Sequence, residues 1–215
     1  MKGGTAVNPK FFNLSQERQD LIRNSAMTEF GAATFKKTSA DSIAKRAGVS
    51  KSLLFHYFKD KRELYLYLFQ YAIDECMNIF NRHIMKASYF GETDFFRTLE
   101  IGHKVKMDMV RRHPGLFRFV MRAYYERDSV LTPGLRKKLD DVLAQSTDQF
   151  LSRMDLHKFK DGVDPKTVVR LLTLAAEGML AETGAYTAEE INKLFLEYKK
   201  YADMLRQHLY KEEYL

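Results

Sequence analysis

The sequence predicts an all-α protein of about nine helices, with three short helices at the N-terminus and a larger helical domain behind them. Apolar residues make up 45% of the 215 residues, and they recur at helical spacing along most of the chain. Only four prolines and eleven glycines interrupt the chain, so long helices are favoured. We place the domain boundary near residue 60, which gives domains over residues 1–60 and 61–215.

The N-terminal domain contains a pattern of two short helices joined by a tight turn, within residues 38–61, TSADSIAKRAGVSKSLLFHYFKDK. Thr38 or Ser39 suits the N-cap of a helix over about residues 40–47. Gly48 suits the end of that helix because glycine adopts positive φ without strain. Two short helices with a glycine in the connecting turn are typical of a helix-turn-helix, whose second helix enters the DNA major groove.

The second helix of the pattern is predicted over about residues 51–57. Ser50 suits its N-cap, and Leu53 and Leu54 are expected to face inward. An ordinary helical hairpin shares these features, so the pattern alone leaves that alternative open.

Charge favours the DNA-binding interpretation over the hairpin. Residues 1–62 hold twelve Lys or Arg and five Asp or Glu, a net charge of +7. The other 153 residues hold 23 charges of each sign. The whole net charge therefore lies on the segment with the helix-turn-helix pattern, as neutralisation of DNA phosphates requires.

The run T-S-x-x-x-I-A-x-x-A-G-V-S-K-S-x-x-F-H-Y-F-x-x-K-x-x-L resembles the N-terminal domain of the TetR (tetracycline repressor) family of bacterial transcription factors. The resemblance covers roughly residues 15–70. This chain has Ser52 where many members have glycine, and Phe55 where many have tyrosine. Phe55 therefore lacks a hydroxyl that relatives can present to DNA.

The predicted DNA-binding residues lie at the two helix starts and along the second helix. Ser50 and the free N–H groups at the start of that helix suit a phosphate. The resemblance implies DNA contacts for His56 and Tyr57 and a phosphate contact for Lys61. We assign Phe58 to the core and Tyr57 to the surface. The predicted set is Thr38, Ser39, Ser50, Lys51, Ser52, Phe55, His56, Tyr57 and Lys61.

Residues 1–12 lack helical periodicity and contain two glycines and Pro9, which predicts a mobile arm. A minor-groove contact by Lys2 or Lys10 is the alternative. A first helix is expected to begin after Asn13 or Ser15 and to stop at Gly31. Its apolar face would brace the two helices behind it and carries Leu21, Ile22, Ala26, Met27 and Phe30.

A long helix is predicted over residues 62–87, with Asp60 as its N-cap. At 1.5 Å per residue it would span about 39 Å, enough to link the N-terminal domain to the second domain. Cys76 lies on its apolar stripe, where packing is favoured over reactivity. After a loop at 88–93, three further helices are predicted over about 94–112, 115–127 and 133–154.

The last two helices are predicted over about 165–183 and 188–210, with Asp164 as the first N-cap and a Thr187–Glu190 capping box for the second. The first of them is apolar on nearly every side, so it must be covered on every side. The resemblance implies that these two helices pair with those of a second subunit, forming a homodimer through a four-helix bundle. A helix buried within a monomer is the alternative.

Methionine and aromatic residues are frequent between residues 63 and 160. Methionine suits irregular cores as well as cavities, so simple core packing is one interpretation. The resemblance implies a pocket for a small-molecule effector between the helices of the second domain. We predict that its lining includes Met77, Phe80, Met121, Tyr124 and Met179.

No catalytic, phosphate-binding or dinucleotide-binding motif is present in the sequence, and no two of the six histidines are spaced i, i+4,. We therefore expect neither an enzyme nor a cofactor or metal. The single cysteine, the lack of an apolar N-terminal run and the lack of a spanning apolar segment predict a cytoplasmic protein without a membrane anchor.

The helix-turn-helix pattern and the charge predict a protein that binds double-stranded DNA, and the resemblance implies that it is a ligand-responsive regulator. The simplest form is a homodimeric repressor that binds a palindromic operator and is released by a small molecule. A non-specific or architectural DNA-binding protein is one alternative. A small-molecule enzyme or carrier that uses the helical second domain is another.

Overall fold

The computed structural model describes residues 7–84, 91–128, 131–183 and 187–215. Within these residues the regular structure consists of nine α-helices and three 3₁₀ turns, which confirms the all-α class. The helices are α1 Gln16–Ala32, α2 Ala40–Arg46, α3 Lys51–Tyr57, α4 Lys61–Ile84, α5 Phe95–Arg112, α6 Pro114–Tyr124, α7 Thr132–Leu151, α8 Pro165–Thr183 and α9 Ala188–Leu209.

The chain divides into two compact units by its internal contacts. The first unit holds Met1–Asn78 and His113–Leu139, and the second holds Ile79–Arg112 and Asp140–Leu215. Helices α4 and α7 therefore contribute residues to both units, and α6 belongs to the first. These units are defined by packing alone. The predicted boundary near residue 60, between a DNA-binding domain and an effector-binding domain, stays a prediction.

Serine side chains cap all three helices at the start of the first unit. Ser15 Oγ accepts from the backbone N–H of Arg18 at 3.3 Å, and Ser39 Oγ accepts from that of Ser42 at 3.0 Å. Gly48 has a φ of 60° and follows the end of α2. The predicted helix-turn-helix is thus confirmed in its boundaries and in its glycine turn.

Gly31 does not end the first helix as predicted, since α1 continues to Ala32. The glycine instead lets α6 approach closely. A Cβ at residue 31 would lie 3.2 Å from both Arg118 Cβ and the backbone nitrogen of Phe119. A side chain at residue 31 would therefore push α6 away from α1.

Aromatic rings fill the space between α1, α4 and α6. The Tyr65 ring lies edge-on to Phe30 at 4.9 Å, to Phe119 at 5.1 Å and to Phe35 at 5.4 Å. Phe30, Tyr65 and Phe119 are fully buried. Phe35 joins this core, and α6 is thereby fixed to the helices of the first unit.

The second unit is built around one cluster of buried apolar residues from α5, α7, α8 and the end of α9. Asp164 accepts from the backbone N–H groups of Lys166 and Thr167 at the start of α8. The predicted capping box at the start of α9 is present. The buried members of the cluster are Phe95, Phe96, Leu151, Phe159, Val168, Leu172, Ala202 and Tyr210.

Some predicted helix ends differ from those observed, and some lie outside the described residues. Helix α6 ends at Tyr124 and α7 at Leu151, about three residues earlier than predicted in each case. The predicted end of the long helix at residues 85–87 and the loop at 88–90 lie outside the described residues. Among the described helices, none is both long enough and apolar enough to span a bilayer.

Candidate nucleic-acid interface

The second helix of the helix-turn-helix, α3, has one buried face and one exposed face. Leu54 is fully buried, whereas Ser52 and His56 are exposed. Because successive residues of an α-helix are rotated by about 100°, Ser52 and His56 lie on the side opposite Leu54. They are therefore the outermost side chains of α3, and a molecule bound against the exposed face of α3 would contact them.

Lys51 is also exposed, and its ammonium lies 2.8 Å from the Asp41 carboxylate of α2. Exposed ion pairs of this kind contribute little stability, typically below about 1 kcal/mol. The lysine can therefore exchange the carboxylate for a phosphate or a base edge at small cost. This geometry is compatible with the predicted DNA contact of Lys51.

Ser39 and Ser50 each cap a helix, so part of their hydrogen-bonding capacity is used inside the protein. Ser50 Oγ accepts from the backbone N–H of Leu53 at 3.1 Å. A hydroxyl group can donate as well as accept, so each capping serine keeps a donor for a phosphate oxygen. Both side chains are exposed, as a contact with DNA would require. Phe55, also in the predicted set, is half-buried.

Two residues of the predicted set are more buried than expected. Thr38 is buried, and its hydroxyl donates to the Thr34 carbonyl oxygen at 3.1 Å. Tyr57 is only 8% exposed, and its ring lies 5.8 Å from that of Phe11. The assignment of Tyr57 to the surface was wrong because residues upstream of α1 cover the end of α3. The DNA contacts predicted for Thr38 and Tyr57 stay untested predictions.

Lys61 lies at the start of α4, and its ammonium is bound inside the protein. Nζ donates to the carbonyl oxygens of Phe35 and Thr38, each at 2.9 Å. It also lies 4.4 Å from the centre of the Phe35 ring. The helix dipole opposes a cation at a helix start, so the Lys61 ammonium needs a stabilising partner. Two carbonyl dipoles and an aromatic face supply that stabilisation.

Replacing Lys61 with methionine is expected to destabilise the first unit. It should leave unchanged the number of DNA phosphates that the protein contacts. Methionine keeps most of the apolar stem but loses two hydrogen bonds from a charged donor, which cost about 1–3 kcal/mol together at a half-buried site. Thermal or urea unfolding measures the loss, and the salt dependence of DNA binding measures the phosphate contacts.

The matched control is Lys59→Met, because Lys59 is exposed and lies two residues away. It should leave unfolding unchanged. If Lys61→Met instead preserves stability and lowers the slope of log K against log salt by about 0.9, one phosphate contact has been lost, and Lys61 is a DNA-binding residue after all.

Residues 7–12 were predicted to be mobile, and the structure shows them anchored to the end of α3. The backbone N–H of Asn8 donates to the Tyr57 carbonyl oxygen at 2.9 Å, and the Asn8 side chain donates to the His56 carbonyl oxygen at 3.1 Å. Phe11 is fully buried. Carbonyl groups at a helix end lack partners within the helix, so Asn8 caps α3 from another segment. Lys2 lies outside the described residues.

A second link between segments of the first unit was not predicted. The Arg18 guanidinium donates to the Gly48 carbonyl oxygen at 2.9 Å, which ties α1 to the turn before α3. Arg18 is one of several charged residues in α1, and its sequence position gives no sign of a contact with residue 48. The bond holds the turn in the orientation that presents α3.

The predicted effector-binding residues are half-buried side chains in both units. Met77, Met121 and Tyr124 belong to the first unit, and Phe80 and Met179 belong to the second. One surface cleft lies beside α1 and α4, and another lies between α5 and α9. Neither is lined by any of the five residues, so the predicted effector site stays a prediction.

Candidate metal ligands do not group in the described part of the chain, where no three His, Cys, Asp or Glu side chains come together. Burial raises the pKa of the Cys76 thiol to about 12. A thiol with so high a pKa is almost wholly protonated at neutral pH and is a poor nucleophile. Packing is therefore the role that this geometry supports for Cys76.

Comparisons with known proteins agree with this geometry. The family model described as bacterial regulatory proteins of the tetR family matches residues 22–68. The chain is 23% identical over 164 residues to the HTH-type transcriptional regulator SAR2658 of Staphylococcus aureus strain MRSA252, covering 72% of this chain and 86% of that protein.

Two crystal structures of TetR regulators from Chloroflexus aurantiacus have the same fold. One has a TM-score of 0.67 at 20% identity and covers 94% of this chain and 99% of its own. The other has a TM-score of 0.65 at 19% identity and covers 96% and 99%.

A helix-turn-helix with a capped, outward-facing second helix, followed by an all-helical remainder, defines a DNA-binding transcriptional regulator,. The residues that form this motif are also those that the family model matches. Residues 22–68 therefore match the DNA-binding segment of the tetR family of bacterial regulatory proteins.

Proposed function

We propose that this chain is a ligand-responsive repressor that binds a palindromic operator as a homodimer and is released by a small molecule. The observation that carries the proposal is the exposed face of α3, on which Lys51, Ser52 and His56 project from a helix capped at both ends. This face belongs to the segment that holds the whole net charge of the protein. Binding to chromosomal DNA would place the protein in the cytoplasm.

The rigidity of α3 supports specific readout. A seven-residue helix is too short to be stable alone, and here Ser50 caps its start while Asn8 caps its end. Leu54 and Phe58 anchor its inner face in the core. A helix held in this way presents its outer side chains in fixed positions, which recognition of base edges requires.

The outer surface of α8 and α9 supports a homodimer. Leu171 and Leu174 of α8 are 51% and 46% exposed, and Leu196 and Met204 of α9 are 57% and 52% exposed. Large apolar side chains exposed together on two helices are typical of a protein–protein interface. A second copy of the chain would cover them with the same surface, as a two-fold axis requires. Two α3 helices would then meet half-sites about 34 Å apart, or a multiple of that distance.

Helix α4 supports the response to a ligand. It runs without interruption from Lys61 to Ile84 and contributes to both units. An effector that prefers one position of α4 would shift the population of arrangements that fit the operator. The effect can be no larger than its difference in affinity for the two arrangements.

A non-specific or architectural DNA-binding protein is the second candidate, and the basic charge of residues 1–62 favours it equally. Competition separates the two candidates. A labelled duplex enriched from a random pool is bound by the full chain, and unlabelled random duplex is added in large excess. A specific regulator keeps most of the labelled duplex, whereas a non-specific protein loses it in proportion to the competitor.

A further inference from the structure

Leu53 is a large apolar side chain on the exposed surface of α3. It is 37% exposed, whereas the next residue, Leu54, is fully buried. The sequence pattern predicted that both leucines face inward, and for Leu53 that prediction was wrong. Rotation by about 100° per residue places Leu53 beside His56, at the edge of the outer side of the helix.

The position of Leu53 suggests a binding role more than a packing role. The inner face of α3 is already filled by Leu54, Tyr57 and Phe58. Around the helix, Leu53 lies between the exposed His56, about 60° away, and the buried Tyr57, so it stands at one edge of the polar outer face,. Contact with water does not stabilise the exposed apolar surface of Leu53. That surface is stabilised when an apolar group of a partner covers it.

We propose that Leu53 recognises a thymine in each operator half-site through the 5-methyl group of the base. This inference rests on the proposed binding of α3 in the major groove. The edges of the base pairs in that groove consist of hydrogen-bond donors and acceptors and one apolar group, the thymine methyl. Cytosine has no methyl group there and presents an amino donor, so Leu53 favours thymine over cytosine at its position.

The exposed side chains of α3 differ in the groups of the DNA that they can contact. Lys51 can reach a phosphate or a guanine edge, and Ser52 and His56 can form hydrogen bonds with base edges or phosphates. Each of these polar side chains has several possible partners in the groove. Leu53 has one, which makes it the residue of this helix with the narrowest base preference.

Removal of single methyl groups from the DNA tests the proposal. A duplex enriched from a random pool is synthesised with deoxyuridine in place of thymidine, one symmetric pair of positions at a time. Binding of the full chain is measured for each duplex. The burial of one methyl group corresponds to about a fourfold change in affinity. Each symmetric replacement removes two methyl groups, so one pair of positions should show a loss of about sixteenfold.

The Leu53→Ala variant should bind the unmodified duplex more weakly and should lose the response to deoxyuridine at that position. The matched control is Leu21→Ala, because Leu21 is a similarly exposed leucine of α1 in the same unit, 42% exposed. It should keep the deoxyuridine response of the unaltered chain. Melting temperatures of both variants equal to that of the unaltered chain would show that folding is preserved.

The proposal is overturned if no thymine methyl affects binding, or if Leu53→Ala responds to deoxyuridine as the unaltered chain does. Either result leaves the proposed function standing, provided that the enriched duplexes share a sequence. If the pool yields no common sequence, the proposed specific regulator fails first, and the role of Leu53 fails with it.

Discussion

Phe11→Ala is expected to lower the free energy of unfolding of the first unit by about 3–5 kcal/mol, the usual cost of removing a buried phenylalanine ring. Phe11 is fully buried, and its ring lies 4.9 Å from that of Phe58 and 5.6 Å from that of Tyr67. Its loss would leave a cavity under the end of α3. We therefore expect a fall in DNA affinity together with the loss of stability, measured by urea unfolding and by DNA titration.

The neighbouring residue provides the control. Phe12 has the same side chain but is 52% exposed, so Phe12→Ala should change the free energy of unfolding by less than about 1 kcal/mol. If the two variants unfold alike and both stay close to the unaltered chain, residues 7–12 are a mobile arm, as their sequence first indicated.

The second large effect is expected from charge placed on the outer surface of α8. Leu171→Glu combined with Leu174→Glu would bury two carboxylates from each subunit, four in all, in the proposed dimer interface. An unpaired buried charge costs several kcal/mol, and each 1.4 kcal/mol weakens association about tenfold. Dimerisation should therefore weaken by at least about a hundredfold. Sedimentation or light scattering measures it, and operator affinity should fall in parallel because only one half-site is held.

Leu143→Glu is the control for added charge, since Leu143 of α7 is also an exposed leucine of the second unit, at 38%. It should leave the oligomeric state unchanged. A double α8 variant that remains dimeric with a cooperative melting transition would show that the subunits associate through some other surface.

Local features of the first unit could be predicted from the sequence because their causes are local. A serine before each short helix and a glycine after α2 act within one helical turn. The limits of α2 and α3 therefore agree with the prediction to within a residue. The apolar residues Leu53 and Leu54 show where such local reasoning stops. Both fit a helix, but only the packing of other segments decides which of them is buried.

The features of the first unit that the sequence did not predict arise from contacts between residues distant in sequence. Lys61 binds carbonyl groups 23 and 26 residues earlier in the chain. Tyr57 is covered by Phe11, which lies before the first helix. Gly31 was predicted to end the first helix, and it is instead the point where α6 approaches α1. No periodicity or capping rule encodes such contacts.

The outer face of α3 is the central claim of this account, and selection of bound duplexes from a random pool tests it most directly. We predict that the full chain enriches a palindrome with two half-sites whose centres lie about one helical turn or a multiple apart. We also predict that Ser52→Ala changes the bases selected within each half-site while the gap between the half-sites stays the same. The claim would be contradicted if the selected duplexes share no sequence. It would also be contradicted if neither Ser52→Ala nor any other substitution on the outer face of α3 changes the selected bases.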